Sequence, residues 1–437
     1  MKRTLAIALT LCLLLSCGVF SVSYAAEPVE LTMVWMGGDT ASERFIPLLQ
    51  AWNEAHPDIQ ITGELIDTDT EEKMRMMLAS EKAPDIMMLG YSWVPSIVES
   101  GDYLLDLNKQ DILDLSGYDQ NALKMLGEYN GIQAGVPACY ATITMCMNMT
   151  SAEKYGVEMA DNLTIDELYE KGAALHEAHP DTYLYIVHEV EVYELFRSLM
   201  RQKLNGSMFN EDYTLNFTQD ELTELFSIIK KGYDTNTFMP MADAVASSPD
   251  GSCLLNAKWV AGDGLAVSNA SGGIIYAISF VQGHENMQFN MFTLPKLTAD
   301  STYGNGILSC EKIWAISSQS EHPEEALTFL NYLVNTTEAV DYLQGDALSG
   351  VYATKTQFDH AAEKQYSNPY ITEAYTKVID CAQPADNPIS LNSDLNTILS
   401  DALLTVCYMS ATPEDAAAAA VTQLTDRLAQ LKTESGK

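Results

Sequence analysis

Positive charge is scarce in this chain of 437 residues, which has 24 lysines and arginines against 60 aspartates and glutamates. The formal net charge is −36, so most of the surface would repel phosphate backbones and anionic lipid headgroups. We therefore expect neither nucleic acid nor an anionic membrane surface as a partner. The acidic excess is expected to serve solubility, and it permits a cationic ligand without indicating one.

Motifs that mark common enzymes and metal sites are also absent. The sequence has no HExxH, GxSxG or Walker pattern, and no acid–base pair stands out among its carboxylates. We expect no enzymatic activity and no cofactor. The cysteines beyond the amino-terminal region form no CxxC and have no histidine at ligand spacing, so no metal site is expected. They are Cys139, Cys146, Cys253, Cys310, Cys381 and Cys407, and the sequence leaves their disulfide pairing open.

An export signal is indicated by the longest apolar run, Leu5 to Leu15, which follows the positive pair Lys2-Arg3. The run is too short and too early to indicate a membrane-spanning helix. Ser23-Tyr24-Ala25 has the small residues of a cleavage site, which would make residues 1–25 a signal peptide and release a soluble protein.

A second cleavage site also fits the sequence. Leu14-Leu15-Ser16-Cys17 resembles a bacterial lipobox, which would make residues 1–16 the signal and leave Cys17 lipidated. Both alternatives predict a protein that works outside the cytoplasm. It would be periplasmic or at the cell surface, either free or anchored to the membrane by lipid.

Strands and helices are predicted to alternate after the signal. Short apolar runs at Val29 to Trp35, Ile59 to Leu65 and Ile86 to Leu89 predict strands separated by helical patterns, which is typical of a parallel α/β sheet. Ser42 is expected to cap the helix after the first strand, and Thr164 to cap a later helix with Glu167 three residues on. The length of the chain favours two lobes.

Five blocks of sequence, in this order, are similar to those of bacterial extracellular solute-binding proteins of the family-1 type, the binding components of ABC importers. The resemblance extends to the maltose-binding proteins and their carbohydrate-binding relatives, and it covers almost the whole mature chain. The blocks are LTMVWMGGDTASERFIPLLQAWNEAHPDIQI, APDIMMLGYSWVPSIVESGDYLLDL, GIQAGVPACYATITMCMNMTSAEKYGV, NMFTLPKL and WAISSQSEHPEEALTFLNYLVN.

The resemblance implies an α/β, two-lobed periplasmic-binding-protein-like fold of type II, with a ligand cleft between the lobes. Residues 27–138 plus 294–336 would form the first lobe, and residues 139–293 plus 337–437 the second. The chain would cross between lobes near Val136 to Thr142, near Thr293 to Lys296, and at the end of the helix that contains Glu324. Closure would be a hinge motion around the ligand.

The resemblance also implies that the loops after the first and third strands face the cleft. A sugar ring stacks its apolar face on an aromatic side chain, and its hydroxyls need paired donors and acceptors, so these loops suit carbohydrate. Many relatives carry a tryptophan in the block that matches Ala257 to Ser268, but this chain has Gly264-Leu265-Ala266 there. The candidate ligand-binding residues are Trp35, Gly38, Asp39, Tyr91, Ser92, Trp93, Tyr140, Asp263, Asn305 and Tyr352.

Some of these candidates have structural alternatives. Trp35 could be a core strand residue, Trp93 a packing contact between helix and sheet, and Asp39 a turn or cap residue. Apart from Arg44 the two cleft loops lack a cation, which disfavours anionic ligands.

The function expected from the resemblance is capture of a sugar or oligosaccharide by a monomer and its delivery to the transmembrane subunits of an ABC permease. One alternative is a binding protein for another solute, such as a polyamine or a peptide. Another is an exported glycoside hydrolase, which would need two carboxylates that converge in the cleft.

Overall fold

Two main sheets are assembled from strands that lie far apart in the sequence. The computed structural model describes residues 27–249, 251–301, 306–344, 350–379, 381 and 387–434, so the predicted signal region, Cys17 and Asn305 lie outside the described residues. The strands are β1 Val29–Trp35, β2 Ile59–Leu65, β3 Ile86–Gly90, β4 Glu128–Tyr129, β5 Ile132–Gln133, β6 Val136–Pro137, β7 Cys139–Asn148, β8 Tyr183–Ile186, β9 Gly264–Ala270, β10 Phe289–Phe292, β11 Ile307–Ser309, β12 Lys312–Ile316 and β13 Val351–Tyr352.

Helices occupy most of the chain between these strands, and short 3₁₀ turns include Tyr91–Trp93, Cys253–Leu255 and Pro388–Leu391. Within the described ranges no helix is both long enough and apolar enough to cross a membrane. The helices are α1 Gly38–Ala55, α2 Thr70–Ala79, α3 Val94–Ser100, α4 Gln120–Gly127, α5 Met149–Tyr155, α6 Ile165–Ala178, α7 Glu189–Leu204, α8 Gln219–Asp234, α9 Met241–Ala246, α10 Ala257–Ala261, α11 Ser271–Phe280, α12 Pro323–Asn335, α13 Thr337–Leu343, α14 Lys355–Lys364, α15 Pro369–Ile379, α16 Ser393–Cys407 and α17 Pro413–Glu434.

The first sheet has the order β2-β1-β3-β12-β6. The strands β1, β2 and β3 are parallel, and β12 lies antiparallel between β3 and β6. Every residue of β3 is buried, which confirms the prediction of a strand covered on both faces. The first three strands and their intervening helices are as predicted.

The second sheet is built around the long strand β7. β7 pairs antiparallel with β9, β10, β11 and β13, while β8 is parallel to β9. Met145 and Met147 belong to one hydrophobic cluster and Cys146 to another, so both faces of this sheet are covered. The architecture is two-lobed and α/β, as predicted.

Two antiparallel segments connect the sheets. The chain leaves the first sheet at β6 and enters the second at β7, with Ala138 between them, and it returns from β11 to β12 through Cys310-Glu311. The backbone N–H of Ala138 donates to the carbonyl of Lys312 at 3.0 Å, which ties the two segments together. This second crossing, at Cys310-Glu311, lies later in the chain than Thr293 to Lys296, where the sequence predicted it.

The segment after α12 packs on the first sheet. Ala339, Val340, Tyr352 and Ala361 belong to the same hydrophobic cluster as the strands of that sheet. These residues were assigned to the second lobe from the sequence. The residue ranges of the lobes remain predictions.

The cysteines of the two sheets are buried. Burial raises the pKa of the Cys139 thiol to about 12, with Glu311 adding to the shift and Lys312 opposing it. Burial likewise raises the thiol pKa of Cys146 and Cys310. These thiols are therefore poor nucleophiles, because the thiolate is the reactive form.

Candidate functional site

The carboxyl ends of β1 and β3 lie side by side because these neighbouring strands are parallel. Gly37 and Gly38, with φ of 128° and 71°, turn the chain directly from β1 into α1. α1 therefore begins before Ser42, and the expectation that Ser42 is its cap is wrong. Asp39 is exposed in the first turn of α1, where its charge suits the helix dipole.

Trp35 lies in the core of the first lobe, which corrects its prediction as a ligand-binding residue. Its side chain is 1% exposed and its ring centroid is 5.2 Å from that of Phe45. The indole Nε1 donates to Ser42 Oγ at 3.1 Å, so its polar group is already satisfied. The strand alternation places Trp35 on a covered face of the sheet.

Trp93 is an aromatic side chain at the mouth of the cleft. It is half-buried at the end of the 3₁₀ turn that follows β3, beside the exposed Ser92. The indole lies against Gly90, because a Cβ at that glycine would come within 2.5 Å of Trp93 Cε2. Gly90 thus provides a flat support for the ring.

Ser92 and Trp93 line a cavity of about 910 Å³ between the two lobes. The opposite wall comes from the turn before α16, from Asn392 and Ser393, and from the end of α17. Asn392 Oδ1 accepts hydrogen bonds from the backbone N–H groups of Asp394 and Leu395, so this wall is held by a helix cap. The volume is within the range of small-molecule sites.

Several tyrosines pack near the crossing segments. Tyr140 is 1% exposed and its ring stacks on Tyr375 of α15, with 5.7 Å between centroids. Tyr91 lies next to Tyr129, with ring centroids 6.4 Å apart. Burial raises the pKa of both Tyr129 and Tyr140.

The predicted residues Tyr91 and Tyr140 both lie beside the segments that connect the sheets, since the Tyr91 backbone N–H donates to the Glu311 carbonyl at 3.1 Å and Tyr140 lies at the start of β7. The Tyr140 hydroxyl is buried and has no hydrogen-bond partner among the residues described. Buried hydroxyls are normally paired, so this one is available to water or to a ligand.

A second polar group lies at the carboxyl ends of β8 and β9, which are also parallel neighbours. Asn269 Nδ2 donates to Glu191 Oε1 at 2.9 Å, and the His188 backbone N–H donates to Glu191 Oε2 at 3.2 Å. Glu191 is 3% exposed, and desolvation raises its pKa although His188 opposes the shift. Thr144 pairs with Asn269 in the strand register.

Several polar atoms at this edge lack partners. In the part of the chain that the structure describes, the hydroxyls of Thr142 and Thr144 make no hydrogen bond, and both side chains are buried. The His188 side chain instead belongs to a capping box of α7, in which it accepts from the backbone N–H of Glu191. An unpaired polar group that is buried costs about 1–3 kcal/mol, which favours a polar occupant at this edge.

Sequence reasoning missed this second edge because β8 was not recognised as a strand. The signal was the short apolar run Tyr183 to Val187 after the turn at His179-Pro180. Recognising β8 would have placed His188 at a carboxyl end, but the partners Glu191 and Asn269 come together only through the fold.

Two further predicted residues lie elsewhere. Asp263 precedes β9 at the amino end of the strand, where its Oδ1 accepts from Tyr155 Oη at 2.6 Å. The prediction that Asp263 lines the cleft is wrong, because the cleft edge of this sheet is the opposite one. Tyr352 lies in β13, paired with Cys139, and is 1% exposed, so its ring is part of the first core.

Comparison with known proteins finds similarity to bacterial solute-binding proteins. A family model of bacterial extracellular solute-binding proteins matches residues 38–340. The melibiose/raffinose/stachyose-binding protein MelE of Bacillus subtilis is 25% identical over 160 residues, and the match spans only 36% of this chain and 36% of that relative.

Solved structures match over most of the chain. A periplasmic solute binding protein from Pectobacterium atrosepticum has a TM-score of 0.78 at 23% identity, covering 92% of this chain and 99% of that one. A periplasmic oligogalacturonide binding protein from Yersinia enterocolitica, in complex with saturated digalacturonic acid, has a TM-score of 0.73 at 21% identity with the same coverage. At these identities the likeness shows the fold.

Proposed function

This chain belongs to the family of bacterial extracellular solute-binding proteins, and from that premise we propose that it captures a sugar or oligosaccharide for an ABC importer. The ligand enters the cleft between the lobes. The closed protein then delivers it to the transmembrane subunits of a permease. The protein acts as a binder without catalytic turnover.

The observation that carries this proposal is the position of Trp93. The half-buried indole rests on Gly90 and borders a cavity of about 910 Å³ that both lobes line. A pyranose presents an apolar face that stacks on such a ring, and its hydroxyls need polar groups around the rim. Ser92, Asn392 and Ser393 supply neutral polar groups at that rim.

The polar edge of the second lobe supports the same ligand class. Thr142, Thr144 and His188 can each donate or accept, and the Glu191 carboxylate accepts. A polyhydroxylated ligand that reaches this edge would satisfy the hydroxyls of Thr142 and Thr144, which are otherwise unpaired among the described residues.

Closure follows from the two crossing segments. The stretches around Ala138 and around Cys310-Glu311 run directly between strands of the two sheets, so bending there would move one lobe relative to the other. The ligand stabilises the closed form only to the extent that it binds that form more tightly than the open one.

A thermal-shift screen of the purified protein against mono- and oligosaccharides, polyamines and short peptides tests the proposal. A specific sugar should raise the unfolding midpoint in proportion to the logarithm of its concentration above Kd. The midpoint of the Trp93→Ala variant, compared with its own value without ligand, should shift less with the sugar than that of the unchanged protein.

Other outcomes would contradict the proposal. A shift with a polyamine or a peptide and with no sugar would indicate a different solute class. Release of a monosaccharide from a glycoside by the protein alone would indicate a hydrolase instead.

The state of the amino terminus is a separate part of the proposal. The protein is exported and is either released after Ala25 or lipidated at Cys17. Mass spectrometry of the mature protein distinguishes the two, because a diacylglyceryl-modified Cys17 begins a longer and heavier chain.

A further inference from the structure

A second cavity, of about 720 Å³, lies on α2 beside the cleft. The residues that line both this cavity and the cleft cavity are Glu71, Arg75 and Trp93. The two cavities are therefore neighbours, and these three side chains form a ridge between them. The outer cavity continues along the exposed side of α2 past Met76 to Ala79. We call the outer cavity the α2 groove.

The ridge between the cavities is well ordered by its own contacts. Arg75 Nε donates to Glu71 Oε1 at 3.0 Å, and Arg75 Nη2 donates to the same oxygen and to Ser96 Oγ. Ser96 Oγ in turn donates to the carbonyl of Trp93 at 2.9 Å. These hydrogen bonds connect α2 to α3 and fix the side chains of Glu71 and Arg75 beside the Trp93 indole.

The α2 groove combines exposed apolar side chains with polar ones. Met76 is 64% exposed, which is unusual for a large apolar side chain, and Ala79 lies exposed one turn further on. Thr70 and Glu72 provide a hydroxyl and a carboxylate beside these apolar atoms. A sugar ring can contact both kinds of group, because it carries an apolar face of C–H groups as well as polar hydroxyls.

We propose that the α2 groove is an outer subsite, which binds the sugar units of an oligosaccharide that extend out of the cleft past Trp93. This inference rests on the proposed function, because it needs a sugar in the cleft. The shared residue Trp93 decides the occupant, because a ligand that stacks on its ring in the cleft borders the cavity that Met76 lines. The protein should therefore prefer oligosaccharides to the disaccharides at their ends.

Isothermal titration with two size series tests the proposal. The series are melibiose, raffinose and stachyose, and maltose to maltohexaose. In the series that binds, affinity should rise at least tenfold from the disaccharide to the longest member. Met76→Ser should lower affinity for the longest member about five- to tenfold, and affinity for the disaccharide less than twofold.

Ile46→Ser is the matched control, because Ile46 is 48% exposed on α1 and lines neither cavity. It should leave affinity for both lengths unchanged. Equal affinity for all lengths, or an equal effect of Met76→Ser on short and long sugars, would overturn the outer subsite while leaving the sugar cleft intact. Binding of no sugar in either series would overturn the proposed function and this inference together.

Discussion

Gly90 shows how the absence of one side chain can position a neighbouring ring, the indole of Trp93. Its φ of −64° and ψ of 129° suit any amino acid, so backbone freedom does not explain a glycine here. The reason is steric: a Cβ would lie within 2.5 Å of the Trp93 indole. The glycine therefore permits a close approach of ring to backbone.

We predict that Gly90→Ala lowers sugar affinity about tenfold, equivalent to about 1.4 kcal/mol, because the indole must move off its support. The measurement is calorimetric titration of Gly90→Ala, Trp93→Ala and the double variant. The double variant should bind no worse than Trp93→Ala, since the glycine acts only through the ring. Additive losses would contradict this explanation.

Glu191 predicts a pH dependence of stability. Burial raises its pKa in the folded state, so the folded protein holds this proton over a range in which the unfolded chain has lost it. Stability should therefore fall as pH rises from the ordinary glutamate pKa through the raised value, and then level off.

Glu191→Gln should lose that part of the pH dependence, which chemical denaturation between pH 4 and 8 would measure (about the range in which such groups titrate). Glu170→Gln, at an exposed position on α6, is the control for the change in net charge. Parallel pH profiles for Glu191→Gln and the control would show that the buried carboxyl is not responsible.

At the scale of elements, the amino end of α6 is the clearest success of the sequence analysis. Thr164 Oγ1 accepts from the Glu167 backbone N–H at 3.2 Å, and Glu167 Oε2 accepts from the Thr164 backbone N–H at 2.8 Å. These hydrogen bonds hold the pKa of Glu167 below its ordinary value. The capping box was predictable because all its partners lie within four residues.

Thr164→Ala should lower the free energy of unfolding by about 1 kcal/mol, through loss of the cap. Thr422→Ala, at an exposed position inside α17, should be neutral or slightly stabilising, because alanine is the better helix former there. Urea denaturation of both variants checks the difference. Similar losses in the two would mean that the cap contributes little.

Less local elements were harder to predict. β1, β2 and β3 follow from their apolar runs, but the antiparallel place of β12 between β3 and β6 depends on a pairing across most of the chain. The role of Ser42 was also hard to predict, because its hydroxyl could either cap a helix or accept a hydrogen bond from Trp35. Only the turn at Gly37 and Gly38 decided between these partners.

For the whole molecule, hinge closure is the property that the two crossings make testable. Small-angle X-ray scattering should show a smaller radius of gyration with saturating sugar than without it, because closure brings the lobes together. Trp93→Ala should reach the same compact state at a higher sugar concentration. A thermal shift without any compaction would mean that the ligand binds to one lobe alone.

The sequence by itself determined the acidic composition, the first three strands with their helices, and the helix cap at Thr164, because these depend on composition or on neighbours along the chain. It also indicated Tyr91, Ser92 and Trp93, since a loop after a buried parallel strand has a known place at the edge of a sheet. Tertiary structure alone decided that Trp35 belongs to the core, that Asp263 lies at the wrong edge, and that His188, Glu191 and Asn269 meet. The reason is physical: the side-chain surroundings of these residues come from strands and helices far away in sequence, and no local pattern records which of them will be neighbours.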